Sequence, residues 1–382
     1  MQHIKKSLVV FQPIGRKLLT FLKRNPVLSV ALVAAFVTAL FVPPDLAYLE
    51  YFDFKTLTCL FCVLAVVCAL KNIHFFSLLA EQIVALFKNA RASILALVYI
   101  TFLGSMLIAN ALALLTFLPL GYFVLTSTKK EKYLIFTFIM QNIAANLGGM
   151  LTPFGNPQNL YLYTKFNIPT TEFISTMLPP FLISVALLTL CCFIFVKKES
   201  LQITQKKIQL PLARTIVYGL LFMLSIIIVF RVIPFWIGLI VIIVALLFLD
   251  RKALHDVDYG LLLTFVAFFI FSGNMSRIPL VQSLMSSLLE QNTLLVSILS
   301  CQVISNVPTA ILLSQFMGNY TELLLGVNIG GVGTLISSLA SLITFRTYMQ
   351  HNPGKAKEYI LEFSAFNFGF LLLLTGLQFL FL

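Results

Sequence analysis

Two apolar segments of the sequence are each interrupted by a polar and glycine-rich tetrad, Asn-Leu-Gly-Gly at 146–149 and Asn-Ile-Gly-Gly at 328–331. The flanking residues align without a gap, so that Leu160 pairs with Leu342. A broken helix in lipid leaves backbone groups without partners, so such breaks persist where they line a cavity inside the protein. Paired broken helices indicate a transporter's substrate and ion site. The residues predicted to bind at these breaks are Asn146, Gly148, Gly149, Thr152, Asn328, Gly330, Gly331 and Thr334.

The first interruption continues into the longest run of polar and conformationally special residues in the chain. Its members are Asn142, Asn146, Gly148, Gly149, Thr152, Pro153, Gly155, Asn156, Pro157, Gln158 and Asn159. Glycine allows close backbone approach and proline removes a donor, so together they should unwind the helix. Freed carbonyls can bind a cation, and the next helix N-terminus can bind an anion. The alternative is a kinked helix packed through small residues. The additional predicted binding residues are Pro153, Gly155, Asn156 and Asn159.

A second polar cluster, Ser-Asn-Val-Pro-Thr at 305–309, interrupts another apolar stretch. Its flanking arms are short for full crossings, which predicts a re-entrant hairpin at 293–317 with its tip inside the membrane. Hydroxyl and amide oxygens at such a tip can cap helices or bind ions, and a simple extracellular turn is the alternative. Asn110 is the weaker counterpart, in a hairpin predicted at 92–125. The predicted binding residues at the tips are Asn110, Ser305, Asn306, Pro308 and Thr309.

The composition places these segments in a membrane. Hydrophobic residues make up 59% of the 382 residues, charged residues make up 10%, and the mean hydropathy is +0.98, whereas a soluble domain has roughly 25% charged residues. The apolar segments suit helices that cross about 30 Å of hydrocarbon. The sequence shows none of the roughly 10-residue alternating strands of a transmembrane barrel.

The net charge of +12 does not indicate a nucleic-acid partner, because the basic residues lie in loops at alternate helix ends. The predicted inner loops contain Lys71, Lys88, Arg91, Lys129, Lys130, Lys132, Lys197, Lys198, Arg251, Lys252, Arg346, Lys355 and Lys357. The predicted outer loops are richer in Asp and Glu. This bias predicts an integral plasma (inner) membrane protein with a cytoplasmic N-terminus and an exterior C-terminus.

The order of segments predicts two repeats of opposite orientation. We expect a cytoplasmic basic amphipathic segment at 1–26, a first transport repeat at 27–196, a cytoplasmic linker at 197–213 and a second transport repeat at 214–382. The predicted crossings are 27–42, 56–70, 133–164, 172–196, 214–230, 234–249, 258–272, 321–346 and 359–382, with amphipathic stretches at 73–88 and 278–290. The predicted fold is therefore an all-α polytopic membrane protein with two inverted-topology repeats, each with a re-entrant hairpin and a broken transmembrane helix.

Neither break and neither hairpin tip contains Asp or Glu. Proton-coupled transporters usually keep an ionisable residue inside the membrane, whereas neutral oxygens suit a hard monovalent cation. We therefore expect Na⁺ as the coupling ion, near Asn146, Thr152, Asn306 and Asn328, and no cofactor. The alternative is that a peripheral carboxylate, Glu81 or Glu322, carries a proton.

The segment from Ala145 through Gly-Asn-Pro-Gln-Asn at 155–159, together with 305–309, resembles the ion-transporter superfamily. That group includes arsenite permeases, sodium–proton antiporters of one type, citrate carriers and divalent-anion–sodium symporters. The resemblance covers most of the chain from about residue 27. It implies inverted repeats, paired re-entrant hairpins, a homodimer and an elevator-type motion, with the asparagines, serines and threonines named above around substrate and sodium.

Two departures from the family pattern leave substrate and coupling ion open. Arsenite-permease-like members carry Asn-Asp at the first tip, where this chain has Asn110-Ala111. Carboxylate symporters carry Ser-Asn-Thr at each tip, where this chain has Ala-Asn-Ala at 109–111 and Ser-Asn-Val at 305–307.

The combined expectation is a secondary active symporter that moves a small anionic, di- or tricarboxylate-like solute with sodium, resembling a citrate transporter. The alternatives are an arsenite-type or other oxyanion exporter and a proton-coupled antiporter. A channel would need a continuous polar pore, and the scarcity of ionisable residues argues against a charged selectivity ring. The apolar spans contain no His-rich, paired-carboxylate or nucleophile–base arrangement, so we expect no enzyme.

Overall fold

The computed structural model describes residues 25–78, 82, 86–200 and 211–381. Over these residues it is helical, and the only β pairing is an isolated bridge between Asn89 and Ser200. Several predictions lie partly outside the described residues: residues 1–24 of the basic segment at 1–26, residues 79–81 and 83–85 of the amphipathic stretch at 73–88, among them Glu81, and residues 201–210 of the linker at 197–213.

The first half contains seven described α-helices and ends with α7. They are α1 Pro26–Phe41, α2 Phe54–Asn72, α3 Ala90–Ile108, α4 Asn110–Ser127, α5 Leu134–Gly148, α6 Pro157–Lys165 and α7 Thr170–Phe195. Short 3-10 turns occupy Leu46–Tyr51, Glu131–Tyr133 and Gly149–Leu151. All residues of α5 are buried, which makes this helix the centre around which its neighbours pack.

The second half contains nine described α-helices. They are α8 Leu212–Val229, α9 Phe235–Leu249, α10 Arg251–His255, α11 Tyr259–Ser276, α12 Pro279–Ile304, α13 Asn306–Leu313, α14 Thr321–Ile329, α15 Leu339–His351 and α16 Ala356–Phe381. Helix α12 is kinked at Asn292 (φ −166°), whose side chain accepts a hydrogen bond from the Leu295 N–H. The kink separates the predicted amphipathic stretch from the predicted first arm of the second hairpin.

Nine helices of the described residues are long and apolar enough to cross a membrane. They are Phe54–Asn72, Ala90–Ile108, Asn110–Ser127, Glu131–Leu151, Thr170–Phe195, Leu212–Val229, Arg251–Ser276, Pro279–Ile304 and Ala356–Leu380. The number equals the sequence-based count, but the helices differ. Length admits three of the four hairpin arms. It leaves out the fourth arm, Asn306–Leu313, the shorter Pro26–Phe41 and Phe235–Leu249, and the second broken helix. Re-entrance of the hairpins and inversion of the repeats therefore stay predictions.

Contacts divide the described chain into two compact units. The first contains residues 25–53 and 258–285, in which α1 packs against α11 and Arg277 forms an ion pair of 2.6 Å with Asp45. The second contains the described residues of 54–257 and 286–382. The repeats predicted from sequence follow internal similarity and not compactness, so this division does not test their boundaries.

Within the second unit, the two predicted breaks and both predicted hairpin tips come together. Helix α5 packs against α3 and α4, and α15 packs against α4 and α5. Helix α13 packs against α6 and α14. Both long apolar helices are interrupted where the tetrads predicted it: α5 is separated from α6 by residues 149–156, and α14 from α15 by residues 330–338.

Candidate functional site

The first hairpin tip is a single residue between two helices. Ala109 joins α3 to α4 with φ 64° and ψ 149°, a backbone conformation that L-residues rarely adopt. Asn110 follows and is buried; its Oδ1 accepts a hydrogen bond from the Ala111 N–H at 2.8 Å. Its Nδ2 donates to Oδ1 of Asn146 at 3.2 Å. The tip is thereby joined to the last turn of α5.

The second tip has the same construction. Ser305 joins α12 to α13 with φ 75° and ψ 157°, and Oδ1 of Asn306 accepts from the Val307 N–H at 2.9 Å. The Asn306 N–H donates to the Ser337 carbonyl at 2.9 Å, and the Thr309 hydroxyl donates to the Ser305 carbonyl at 2.8 Å. Two non-glycine residues in the left-handed half of φ space, each followed by asparagine, mark the tips as special sites.

The first break is braced by asparagines of the helix that follows it. After α5 a short 3-10 turn leads to an extended Thr152. The Nδ2 of Asn156 donates to the Asn146 carbonyl at 3.1 Å, and the Nδ2 of Asn159 donates to the Gly149 carbonyl at 3.2 Å. The start of α6 therefore satisfies the carbonyls that the break releases at the end of α5.

The second break is braced by a glutamine of the hairpin. The Nε2 of Gln302 donates to the carbonyls of Gly330 at 2.9 Å and Val332 at 3.3 Å. Its Oε1 accepts from the Thr334 N–H at 2.9 Å. Gly333 lies against this amide with φ 132°, and a Cβ there would be 2.1 Å from Oε1 of Gln302. Only glycine combines that backbone conformation with that close approach.

The two broken helices contact each other through opposite halves: α14 contacts the start of α6, and α5 contacts α15. The Nδ2 of Asn328, in the last turn of α14, donates to Oδ1 of Asn159 at 2.6 Å, and Oδ1 of Asn328 accepts from Asn156 at 3.4 Å. The Nδ2 of Asn142, in α5, donates to Oγ of Ser341 in α15 at 3.3 Å. Ser341 occupies the position that aligns with Asn159. The two breaks thus share one buried amide and hydroxyl network.

Two threonines tie the breaks to the hairpins in the same way. The hydroxyl of Thr152 donates to the Met106 carbonyl at 2.6 Å, and the hydroxyl of Thr334 donates to the Gln302 carbonyl at 3.0 Å. Met106 and Gln302 each lie four residues before the tip asparagine. The gap-free alignment of the tetrads therefore corresponds to an equivalent tertiary contact in both halves of the unit.

Glycine allows the hairpin arms to approach the breaks, more closely in the first than in the second. A Cβ on Gly148 would lie 2.2 Å from the backbone oxygen of Phe102 in α3. A Cβ on Gly330 would lie 2.9 Å from the Cβ of Cys301 in α12. At both breaks the nearest atom is a backbone oxygen, Phe102 O at 2.2 Å from a Cβ on Gly148 and Gly326 O at 2.7 Å from a Cβ on Gly330, and a side chain, Ser105 or Cys301, closes the rest of the space.

No aspartate, glutamate, lysine, arginine or histidine belongs to either break or either tip. The N-terminal ends of α4, α6, α13 and α15 begin at these segments, and the C-terminal ends of α3, α5, α12 and α14 lead into them. The first set offers N–H groups and partial positive charge, and the second offers carbonyls. Oδ1 of Asn156 and Oε1 of Gln158 are buried and have no hydrogen-bond partner among the described residues.

Most predicted binding residues fall into this network, with differences of degree. The residues placed in the two breaks or joined to them by hydrogen bonds are Asn110, Asn146, Gly148, Gly149, Thr152, Gly155, Asn156, Asn159, Ser305, Asn306, Asn328, Gly330, Gly331 and Thr334. Pro153, Pro308 and Thr309 are buried in the same segments, but the hydrogen bond of Thr309 stays within its own tip.

The four residues predicted around sodium do not form one hydrogen-bonded group. No hydrogen bond between described residues joins Asn306 to Asn146, Thr152 or Asn328. The amide of Asn306 instead lies against the second break, where a Cβ on Gly331 would be 3.1 Å from its Nδ2. The sodium assignment stays a prediction.

Several network residues are absent from the predicted binding set. They are Asn142, Gln302, Ser337, Ser338, Ser341 and Thr344. Gln141, also absent from the set, lies next to Asn142 and binds the two arms of the first hairpin. Ser338 and Ser341 could have been found by continuing the tetrad alignment, since they pair with Asn156 and Asn159. Gln141 and Gln302 are uncharged amides in apolar helices, and such residues often form interhelical hydrogen bonds.

The described part of the chain is helical, with nine candidate membrane spans and two helix breaks that meet, and these are features of a membrane transporter. The family comparison agrees. Residues 8–323 match the family model described as citrate transporter (CitMHS), so the chain belongs to the CitMHS citrate transporter family. The matched region contains both hairpin tips and the first break, and it ends just before the second tetrad.

Two similar proteins cover most of the chain. The uncharacterized transporter MJ0456 of Methanocaldococcus jannaschii is 33% identical over 300 residues, which are 77% of this chain and 81% of that protein. The inner membrane protein YbiR of Escherichia coli is 30% identical over 280 residues, which are 71% of this chain and 74% of that protein. The chain is therefore an integral membrane protein of a transporter family.

Proposed function

We propose that the protein is a secondary active transporter of a small anionic solute, di- or tricarboxylate-like, coupled to sodium. The observation that carries this proposal is the buried, uncharged network in which the two broken helices meet. Four helix N-termini at this place favour an anion, because their partial positive charge acts without a charged side chain. The name of the family, citrate transporter, supports a carboxylate substrate.

Sodium fits the remaining donors. Amide, hydroxyl and carbonyl oxygens surround the breaks, and the Asn156 Oδ1 is a buried acceptor with no partner among the described residues. Such oxygens bind a hard cation and have no proton to exchange near neutral pH. The described alternative proton carrier, Glu322, accepts a hydrogen bond from the Leu294 N–H at 3.2 Å. That contact places its carboxylate at the start of a hairpin arm, away from the tips.

The proposal includes two inverted repeats with re-entrant hairpins, an elevator-type motion and a homodimer in the plasma membrane. The N-terminus would be cytoplasmic and the C-terminus exterior. The equivalent Thr152 and Thr334 contacts support the repeat, and the distribution of lysine and arginine supports the orientation. In this arrangement the two hairpin tips reach the same site from opposite sides of the membrane.

Uptake into proteoliposomes tests the substrate and the coupling. Labelled citrate, succinate, arsenite and sulfate are offered with an inward sodium gradient at equal pH, with a protonophore as control. We expect saturable uptake of a carboxylate that needs sodium and survives the protonophore. Uptake driven by a pH gradient in sodium-free buffer, and lost in Glu322→Gln or Glu81→Gln, would reject sodium coupling. Gradient-driven movement of only arsenite or sulfate would reject the carboxylate.

Cysteine accessibility tests the inverted arrangement. In a variant without the six native cysteines, Ala109→Cys and Val307→Cys would each place one thiol at a tip. Membrane-impermeant thiol reagents should reach the two positions from opposite sides, and substrate should protect both. Reaction of both thiols from one side under every condition would contradict inverted repeats.

A further inference from the structure

A cavity of about 540 Å³ lies among helix ends of the second unit, apart from the breaks and tips. Three aromatic rings form a cluster on its wall: the ring centres of Phe136, Phe195 and Phe366 are 5.1 to 5.7 Å apart. Phe136 lies in the first turn of α5, Phe195 is the last residue of α7, and Phe366 lies about three turns into α16. The cavity therefore combines an apolar wall with the ends of membrane helices.

Charged side chains of both signs line the same cavity. Lys132 precedes α5, Lys197 follows α7, and Glu362 is on α16. The Glu362 carboxylate forms no hydrogen bond or ion pair with the residues that the structure describes. Apolar surface beside two cations and one anion is complementary to a molecule with a hydrocarbon chain, an anionic group and a cationic group.

One of the lysines is held in position. Glu199 forms ion pairs of 2.5 Å with both Lys130 and Lys132, and it accepts a hydrogen bond from the Tyr133 hydroxyl at 3.0 Å. The hydrogen bonds from Lys130 and then Lys132 lower the pKa of Glu199 to about 2. Because an ammonium group has three donors, Lys132 keeps donors for a ligand.

We propose that this cavity binds a phospholipid whose headgroup contains both a phosphate and a primary ammonium group, as in phosphatidylethanolamine. Lys132 and Lys197 bind the phosphate, Glu362 accepts hydrogen bonds from the ammonium group, and an acyl chain packs on the three phenylalanine rings. Basic pockets between membrane helices bind lipid phosphates by the same chemistry. The inference is independent of the transported solute and of the coupling ion.

The test measures lipid binding to the purified full-length protein in a neutral detergent, by native mass spectrometry and by thermal melting. The lipids are phosphatidylethanolamine, phosphatidylglycerol and phosphatidylcholine with identical acyl chains. We expect roughly tenfold tighter binding of phosphatidylethanolamine than of phosphatidylcholine, because a trimethylated amine cannot donate a charge-assisted hydrogen bond to Glu362. Equal binding of these two lipids would overturn the proposal.

Variants separate the parts of the site. Glu362→Gln should abolish the preference over phosphatidylcholine while leaving phosphatidylglycerol binding intact or stronger. Lys197→Gln should weaken phosphatidylethanolamine and phosphatidylglycerol alike. The matched control is the double variant Lys355→Gln with Glu358→Gln. These two residues lie seven and four positions before Glu362, form an ion pair at 3.5 Å and do not line the cavity. The control pair should change neither binding.

Two further results complete the test. Soluble glycerophosphoethanolamine and inorganic phosphate should fail to raise the melting temperature, since they lack the acyl chain. Stabilisation by either of them equal to that of the lipid would show a headgroup-only or phosphate site and overturn the lipid assignment. Lipid-free melting temperatures of Glu362→Gln and Lys197→Gln report their folding; a preference retained by folded Glu362→Gln would also overturn it.

Discussion

The two helix breaks are joined to their hairpins by equivalent threonine hydrogen bonds, but different residues bind the backbone carbonyls that each break releases. In both, a threonine hydroxyl of the break donates to a backbone carbonyl one turn before a hairpin tip. At the first break, the released carbonyls are bound by Asn156 and Asn159, which belong to the same broken helix. At the second, the carbonyls of Gly330 and Val332 are bound by Gln302, which belongs to the hairpin, and the Gly331 carbonyl is bound by Ser337 within the break. The repeat preserves the joint and changes the residue that satisfies the backbone.

This difference predicts that the two hairpin tips are coupled to their helix breaks with different strength. Bracing by Asn159 stiffens the first broken helix internally, whereas bracing by Gln302 joins the second break to its hairpin. The corresponding glutamine contact of the first hairpin lies further from its tip. There, Nε2 of Gln141 in α5 donates to Oγ1 of Thr101 in α3 at 3.0 Å and to the Phe117 carbonyl in α4 at 3.1 Å. We infer that the second tip is coupled more tightly to its break than the first tip.

The largest expected effect concerns the two tetrad glycines. In Gly148→Ala the new Cβ would meet the Phe102 carbonyl, and α3 must move away from α5 to make room. We expect loss of folding or a loss of several kcal/mol, as for overpacked cores. Gly330→Ala meets the Gly326 carbonyl at 2.7 Å and the Cys301 side chain at 2.9 Å, both less closely than the 2.2 Å contact of Gly148→Ala, and should cost about 1–3 kcal/mol. Expression and thermal melting in detergent measure both; a milder effect of Gly148→Ala would contradict the closer first break.

Next in size are the tetrad asparagines, both expected to lose transport when replaced. Asn328→Ala leaves Asn159 Oδ1 without its partner and removes one of the two acceptors of Asn156 Nδ2, so that both hydrogen bonds between Asn328 and the other broken helix are lost. Asn146→Ala removes the contact to Asn110. A buried group left unsatisfied costs about 1–3 kcal/mol, so Asn328→Ala should have the lower melting temperature. Transport is measured by proteoliposome uptake at equal reconstituted protein.

The reverse order of stability would show that the connection from break to tip outweighs the connection between the breaks. Unimpaired uptake by either folded variant would remove that asparagine from the transport site. Folding is checked by size-exclusion chromatography in detergent before reconstitution.

The sequence predicted where the helices break because Gly and Pro act locally, at 146–157 and at 330–333, whatever packs against them. It placed the weaker tip near Asn110, where α3 and α4 meet, but it did not predict the backbone conformation of that tip. Nothing in the residue type of Ala109 signals φ 64°, and its equivalence to Ser305 becomes visible only when the arms are packed. Gln302 was missed because its four partners are distant backbone atoms and nearby carbonyls, which residue types along a chain do not specify.

The sequence also leaves the crossings and the binding roles open. Apolar length is the same for a re-entrant arm and a full crossing, as Ala90–Ile108 and Asn110–Ser127 illustrate. The role of Asn328 in joining the two breaks depends on which half-helix faces it. That arrangement comes from tertiary packing and not from the tetrad alone.

Replacing Gln302 and Gln141 should give a smaller difference in stability and a specific difference in the accessibility of the second tip. Gln302→Met, which copies the residue at the equivalent position 106, leaves the Gly330 and Val332 carbonyls and the Thr334 N–H without their partner. We expect a loss of about 2 kcal/mol and greater thiol reactivity of Val307→Cys in the cysteine-free background. The matched control, Gln141→Met, should cost about 1 kcal/mol without changing that reactivity. Equal reactivity in both variants would contradict coupling of the second tip to its break.

The smallest expected effect tests the shared joint itself. Thr152→Val and Thr334→Val each remove one hydroxyl hydrogen bond at nearly constant volume, which is worth about 0.5–1.5 kcal/mol. If the joints are equivalent, the two melting temperatures should fall by similar amounts, and Thr→Ser at either position should restore most of the loss. A clearly larger loss for Thr334→Val would mean that Gln302 depends on the threonine and does not brace the break independently.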